Sequence, residues 1–233
     1  MEIPYFYEEN IIQTDNFFEL SSATSNHCVR VLRMQKGENI LITDGKGGLF
    51  EAVFEKADKK QSLVKIVDYQ LIPAPRKKIS IAISPLKNAG RMEWFLEKAT
   101  EIGIKEIRLL HCERTERNYF KADRFKNILT GALIQSRQTY LPALHEPEDF
   151  KAAIVAGDYG EKLIAHCMEG EKTRLTGIAD EASVQILIGP EGDFTGEEIE
   201  FALQKGYQPV SLGENRLRTE TAGLVAATLL MVG

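Results

Sequence analysis

From Lys78 onward the chain alternates two kinds of segment, and this alternation constrains the fold more than any other feature. "KISIAIS", "KEIRLLHC", "EKLIAHC" and "VQILIGP" are short runs dense in Val, Ile and Leu, and "QPVSLG" is a fifth strand-like run. Nearly continuous apolar runs mark strands buried on both faces, as in a parallel sheet. Between them lie segments of helical period. In "RMEWFLEKATEIG", Met92, Phe95, Leu96, Ala99 and Ile102 share one face, and Gly103 is placed to end the helix. "DRFKNILTGALIQSR" reads as a second helix. "TGEEIEFALQKG" is a third, with Thr195 as cap, Glu198 three residues on and Gly206 as stop. The last helix, Ala222 to Val232, is apolar around most of its circumference, so burial on all sides is expected, either between the sheet and its neighbours within one chain or with a subunit interface as second partner. Strands alternating with helices predict an α/β fold with a covered parallel sheet.

The first 70 or so residues read differently. A short helix is expected over Ser22–Leu32, with Ser21 or Ser22 as cap. "GENILITDGKGGLFEAVFEKADKKQSLVKIVDYQ" reads as alternating strands, and its Asp44–Gly48 turn supplies glycines for positive φ. The segment suits a small β-barrel and is too short for a seven-stranded sandwich. "LIPAPRKK" follows, and Pro73 and Pro75 cannot donate to a central ladder. The expected domains are 1–72 and 73–233.

Composition narrows the setting. A hydrophobic content of 43% suits a packed core, and no apolar stretch is long enough to span a membrane. "MEIPYFYEEN" has no basic stretch followed by an apolar run, so no signal peptide is expected. Cys28, Cys112 and Cys167 lie far apart and form no C-x-x-C, which points to a reducing cytoplasm. The net charge of -5 is unevenly spread: Arg76–Lys126 holds 13 Lys/Arg against 7 Asp/Glu, and the remainder 16 against 27. That segregation suits a basic face for a polyanion, or an unevenly charged solvated surface.

The common catalytic signatures are missing. The sequence has no Walker phosphate loop, no G-x-G-x-x-G dinucleotide turn after the first α/β strand and no G-x-S-x-G elbow. His27, His111, His145 and His166 have no metal-ligand spacing, so no metal is expected. Two glycine-containing loops at strand ends remain. "ILIGPEGDFTGEE" turns sharply through Gly189-Pro190-Glu191-Gly192, and "SLGENRLRTETAG" follows Leu212-Gly213. Ligands of open parallel sheets bind beyond the carboxyl ends of the strands, and glycine admits a ligand to the backbone. Leu212 and Leu217 are placed to sandwich a ring. Arg218, Glu220 and Thr221 supply a cation, an anion and a hydroxyl. Helix capping also explains Thr219, Thr221 and Glu220, but not Arg216 and Arg218 at an end where the dipole disfavours cations.

These loops resemble the two signature loops of the SPOUT-class methyltransferases. The closer resemblance is to the bacterial small-subunit ribosomal RNA (uridine-N3) methyltransferase family. "HCVRVLRMQKGENILITDGKGG" resembles its PUA-like barrel, and "SPLKNAGRMEWFLEKATEIGIKEI", "ERTER" and "QSRQTYLP" resemble its central segments. The resemblance implies a C-terminal α/β SPOUT domain with a trefoil knot, preceded by a small PUA-like RNA-binding β-barrel. It implies a homodimer through the knot domain, with the last helix near the interface. S-adenosylmethionine is the implied cofactor, and N3 of a uridine in 16S ribosomal RNA, naked or in the small subunit, the implied target. The implied cofactor set is His166, Ile188, Gly189, Pro190, Glu191, Gly192, Leu212, Gly213, Leu217, Arg218, Thr221 and Ala222. Two departures stand out: Asp193 replaces a more usual glycine, and Asn215-Arg216-Leu217-Arg218 replaces a more usual Arg-Ile-Leu-Arg.

Within that implied chemistry Arg218 is the candidate catalytic cation, because negative charge develops on the base as N3 loses its proton. Glu191 is a candidate base or a brace of its own loop. The candidate RNA contacts are Lys87, Arg91, Lys98, Arg114 and Arg117, with His27, Arg30 and Arg33 on the first domain. Trp94 shares a helix face with Arg91 and Lys98, where it can stack on a base or pack against a neighbour. Two other functions suit parts of the pattern: a non-catalytic RNA-binding or ribosome-assembly factor, and a SPOUT methyltransferase acting on transfer RNA.

Overall fold

A computed structural model describes residues 3–116, 120–175 and 183–232. The chain forms two compact units. One comprises Met1–Ala74 with Leu133–Leu141, the other Pro75–Ala132 with Pro142–Gly233.

The first unit is a curled five-stranded sheet. Its strands are β1 (Tyr5–Tyr7), β2 (Phe17–Glu19), β3 (Asn39–Thr43), β4 (Gly48–Lys56) and β5 (Leu63–Leu71), in the order β1-β3-β4-β5-β2. β1 pairs parallel with β3, and the other pairings are antiparallel. Alternation in β4 buries Phe50, Ala52 and Phe54 in one core with Ile40, Ile42 and Val64. Register irregularities at Glu51/Ala52 and Phe54/Lys56 bend this long strand. The edge strands converge through Glu8, just past β1, whose carboxylate accepts from the N–H (3.0 Å) and hydroxyl (2.9 Å) of Ser21, just past β2.

Ser21 then caps the helix α1 (Ser22–Asn26), as expected, by accepting from the Thr24 N–H. The single helix expected to Leu32 is shorter: from His27 to Val31 the backbone is a π-helical turn, followed by Arg33 at φ +57. The Asp44–Gly48 turn is closed by Asp44 Oδ1, which accepts from the N–H groups of Lys46 and Gly48. The returning segment Leu133–Leu141 packs on it. Gly47 N–H donates to Thr139 O (2.8 Å), and the Tyr140 hydroxyl donates to Ile72 O (2.8 Å).

The second unit is a seven-stranded sheet. Its strands are β6 (Lys78–Ile83), β7 (Glu106–His111), β8 (Ala143–Asp149), β9 (Glu161–Ala165), β10 (Thr173–Arg174), β11 (Ser183–Ile188) and β12 (Gln208–Ser211). All pairings are parallel, in the order β10-β12-β9-β11-β6-β7-β8. The helices are α2 (Ala89–Ile102), α3 (Ala122–Gln135), α4 (Phe150–Ala156), α5 (Gly196–Gln204) and α6 (Thr219–Val232). Gly103 ends α2 in the left-handed region, and Thr195 and Glu198 form a reciprocal capping box on α5, both as the sequence predicts.

The second unit departs from the sequence reading in three additional elements, β8, β10 and α4. β8 is an edge strand, where Pro147 is tolerated, and Asp149 caps α4. Within this chain α6 is covered on one side, which leaves the other for the second partner that the sequence reading allows. Gly223, Ala226, Ala227 and Leu230 are buried, whereas Leu224, Val225, Leu229 and Met231 are half-exposed and Val232 is exposed. Only one face meets α2, β6 and β11. Gly223 is required there, because a Cβ would fall 2.6 Å from the Phe95 ring.

Candidate functional site

Because the strands are parallel, the loops leaving β12, β9 and β11 emerge on one edge of the sheet, side by side. They enclose a cleft of about 840 Å³. The two glycine loops do not adjoin directly. β9 lies between their strands, so the loop from Ala165 through His166 and Cys167 forms a third wall.

Of the residues anticipated for the cofactor, His166, Ile188, Gly189, Pro190, Glu191, Leu212, Gly213, Leu217, Arg218 and Ala222 line this cleft. Gly192 and Thr221 do not. The Gly192 carbonyl accepts from Arg114 Nη1 (2.9 Å), and Thr221 lines a second opening. Sequence reasoning missed Cys167 and Lys172 as wall residues, and took Arg91 only for an RNA contact.

Local chemistry explains the loop shapes. Gly189 has no room for a side chain: a Cβ would lie 3.0 Å from the Phe194 ring and 3.2 Å from the Phe194 nitrogen. Asp193 N–H donates to Pro190 O (2.9 Å), and Asp193 sits at φ +63, a left-handed conformation that Asp tolerates better than most residues. Its carboxylate does what glycine cannot. Oδ2 accepts from the Cys167 N–H and Oδ1 from the Phe194 N–H, both at 2.8 Å. The departure at Asp193 thus ties the β11 loop to the β9 loop.

Charge is arranged around the mouth. Arg91 Nη1 donates to Glu191 Oε1 (3.3 Å), and Arg91 Nε lies 3.6 Å from Glu220 Oε1. Arg218 is exposed and, among the described residues, has no ion-pair partner. His166 Nδ1 is buried without a hydrogen bond. Burial holds the His166 pKa below its usual value, with Lys172 pushing the same way and Asp193 opposing, so the ring is neutral at neutral pH. The smaller opening, about 340 Å³, is lined by Asn88, Gly90, Arg91, Trp94, Arg218, Glu220 and Thr221. It shares Arg91 and Arg218 with the main cleft.

The remaining candidates for RNA fall into two sets. Lys87 pairs with Glu116 (2.6 Å), and Lys98 with Glu97 (2.6 Å) and Glu101 (2.9 Å). His27, Arg30 and Arg33 are exposed on the first unit. Arg117 lies outside the described residues. Among the described residues no group of three or more His, Cys, Asp or Glu could hold a metal ion, and no helix is long and apolar enough to cross a membrane.

Residues 73–231 match the family described as RNA methyltransferase domain, and residues 20–67 match the RNA methyltransferase PUA domain. The chain belongs to this RNA methyltransferase family. It is 33% identical over 218 residues to ribosomal RNA small subunit methyltransferase E of Synechocystis, covering 89% of this chain and 70% of that protein. The fold matches a Porphyromonas gingivalis protein described as a probable rRNA-methyltransferase, with TM-score 0.91, 40% identity and 99% of each chain covered. It also matches ribosomal RNA small subunit methyltransferase E of Neisseria gonorrhoeae, solved bound to S-adenosylmethionine. There the TM-score is 0.87 with 27% identity, covering 99% of this chain and 98% of that one. The SPOUT-type parallel sheet and the PUA-like curled sheet expected from the sequence are both present in this family member.

Proposed function

We propose that this protein transfers a methyl group from S-adenosylmethionine to N3 of a uridine in 16S ribosomal RNA. The observation that carries the reading is the three-walled cleft beyond the parallel strands, with the unused buried Nδ1 of His166 in its wall. The donor set fits an adenosyl amino acid. Ile188, Leu212 and Leu217 offer apolar surface, the Gly213 backbone is open to approach, and Glu191, Lys172 and Arg216 bring both charges. These residues, with Pro190 and Ala222, would hold the cofactor, which when bound supplies a methyl group on a sulfonium centre.

The chain's own task is alignment and charge. Holding acceptor and donor in line supplies much of the acceleration for such a displacement. As uridine N3 loses its proton, negative charge spreads over the ring, and Arg218, which has no ion-pair partner among the described residues, lines both openings. Glu191, held by Arg91, braces the first loop against α2.

The same reading includes a trefoil-knotted passage of the chain in the C-terminal unit and action in the cytoplasm. It also includes a homodimer through the outer face of α6, whose half-exposed Leu224, Val225, Leu229 and Met231 suit a second apolar surface. Calorimetric titration with S-adenosylmethionine, followed by methyl transfer to small ribosomal subunits, tests the proposal. Saturable binding with methyl incorporation at uridine N3 is expected. RNA binding without cofactor binding would leave a non-catalytic factor, and transfer only to transfer RNA would redirect the substrate.

A further inference from the structure

We propose that the smaller opening is the seat of the acceptor base, with Trp94 covering the ring and Glu220 Oε2 taking the N3 proton. The proposal rests on the methyltransferase reading above and adds the acceptor site and the base.

Three observations carry it. The first is adjacency: Arg91 and Arg218 line both openings, so the two adjoin at these side chains. The second is Glu220. Its side chain is 7% exposed, it lines the smaller opening, and Oε2 is buried with no hydrogen-bond partner. A buried carboxylate oxygen left unsatisfied is costly, and a bound N–H group removes that cost. Glu191 is the weaker base, because its side chain is 36% exposed and its Oε1 already accepts from Arg91. The third is the pattern of groups. The pairing edge of uracil presents a carbonyl, an N–H and a second carbonyl. The opening presents the Glu220 carboxylate among donors: the Arg91 and Arg218 guanidinium groups, the Thr221 hydroxyl and the Asn88 carboxamide. Asn88 spends its oxygen on the Arg91 N–H at the start of α2, and its NH2 group remains. Cytosine, with an unprotonated N3 and an amino group, mismatches this set. Trp94, 45% exposed, supplies the stacking face.

In the reaction the N3 proton passes to Glu220 Oε2. The pair left on N3 forms the bond to the methyl carbon, and the pair of the broken carbon–sulfur bond stays on sulfur.

Trp94 is the chain's one tryptophan, so its emission reports directly on this opening. Wild-type protein saturated with S-adenosylhomocysteine is titrated with a uridine hexanucleotide and with a cytidine hexanucleotide. Saturable quenching by the uridine oligomer and not by the cytidine oligomer is expected. Trp94→Phe serves as the blank. Glu220→Gln is expected to keep the S-adenosylmethionine affinity and to lose about 100-fold or more in methyl transfer, the size of a missing general base. Its rate should then climb about tenfold per pH unit as N3 ionises unaided, a slope that a purely structural role would not produce. Equal quenching by both oligomers, or normal turnover in Glu220→Gln, overturns the inference while leaving the methyltransferase reading intact. Failure of the wild-type protein to bind S-adenosylmethionine overturns both.

Discussion

The cations of the two units are used differently. In the C-terminal unit, Arg91 is held by Glu191 and Glu220, Arg114 by the Gly192 carbonyl, and Lys87 and Lys98 by neighbouring carboxylates. In the N-terminal unit, Arg30 and Arg33 are exposed and, among the described residues, have no ion-pair partner. A cation already holding a loop shapes a site, whereas one facing only water is free to meet phosphate. The local excess of basic residues between Arg76 and Lys126 is therefore a poor guide to where RNA lies. Much of that charge is neutralised within its own unit. Arg216 and Arg218, both exposed in the wall of the larger cleft, have no ion-pair partner among the described residues.

Four variants test this contrast. Arg218→Ala should lower methyl transfer roughly 100- to 1,000-fold, the scale of removing one charge-stabilising donor. Single-turnover kinetics would measure it, and a normal rate would remove Arg218 from the mechanism. Arg114→Ala frees the Gly192 carbonyl and should weaken S-adenosylmethionine binding about tenfold, the worth of one charge-assisted hydrogen bond, while leaving the salt dependence of RNA binding unchanged. Calorimetry and filter binding would separate the two effects. For the double variant Arg30→Ala/Arg33→Ala the reverse is expected: unchanged cofactor affinity, and a slope of log affinity against log salt shallower by about 1.4. Lys98→Ala should change neither affinity and should shift stability by less than about 0.5 kcal/mol, because exposed pairs contribute little. A steep loss of RNA affinity in Lys98→Ala would break the contrast.

A fifth prediction concerns the helix that backs the site. Gly223→Ala places a methyl group against Phe95 and Ile83 and should destabilise the protein by about 1–3 kcal/mol. Denaturant unfolding would read this, and a neutral result would mean that α6 shifts freely on α2.

The elements legible from the chain are those specified by near neighbours. Thr195 and Glu198 cap α5 across three residues, and Gly103 ends α2 within its last turn. The apolar run of β11 shows by itself a strand buried on both faces. β8 was hidden because its charged, proline-containing run is acceptable only on an edge, and an edge is a property of the sheet. What covers the outer face of α6 is hidden for a similar reason: apolarity around a helix does not say how many of its sides one chain covers.

The site divides along the same line. Its two glycine loops were visible as strand-to-helix turns with the residue types a ligand needs. Their assembly was not visible. Strand order places β9 between β11 and β12, which inserts His166 and Cys167 between the loops. Asp193 reads in sequence as a departure from the usual glycine, and becomes a clasp only because Cys167, 26 positions earlier, is brought to it. Glu220 reads as an ordinary acidic residue in a first helical turn, and only packing against α2 leaves one of its oxygens buried and unused. Periodicity, capping and turn chemistry act over a few residues, so the sequence alone determined the segments. Which loops share a cleft, and which polar atoms are left over in it, depends on pairings between distant segments, and the tertiary structure decided them.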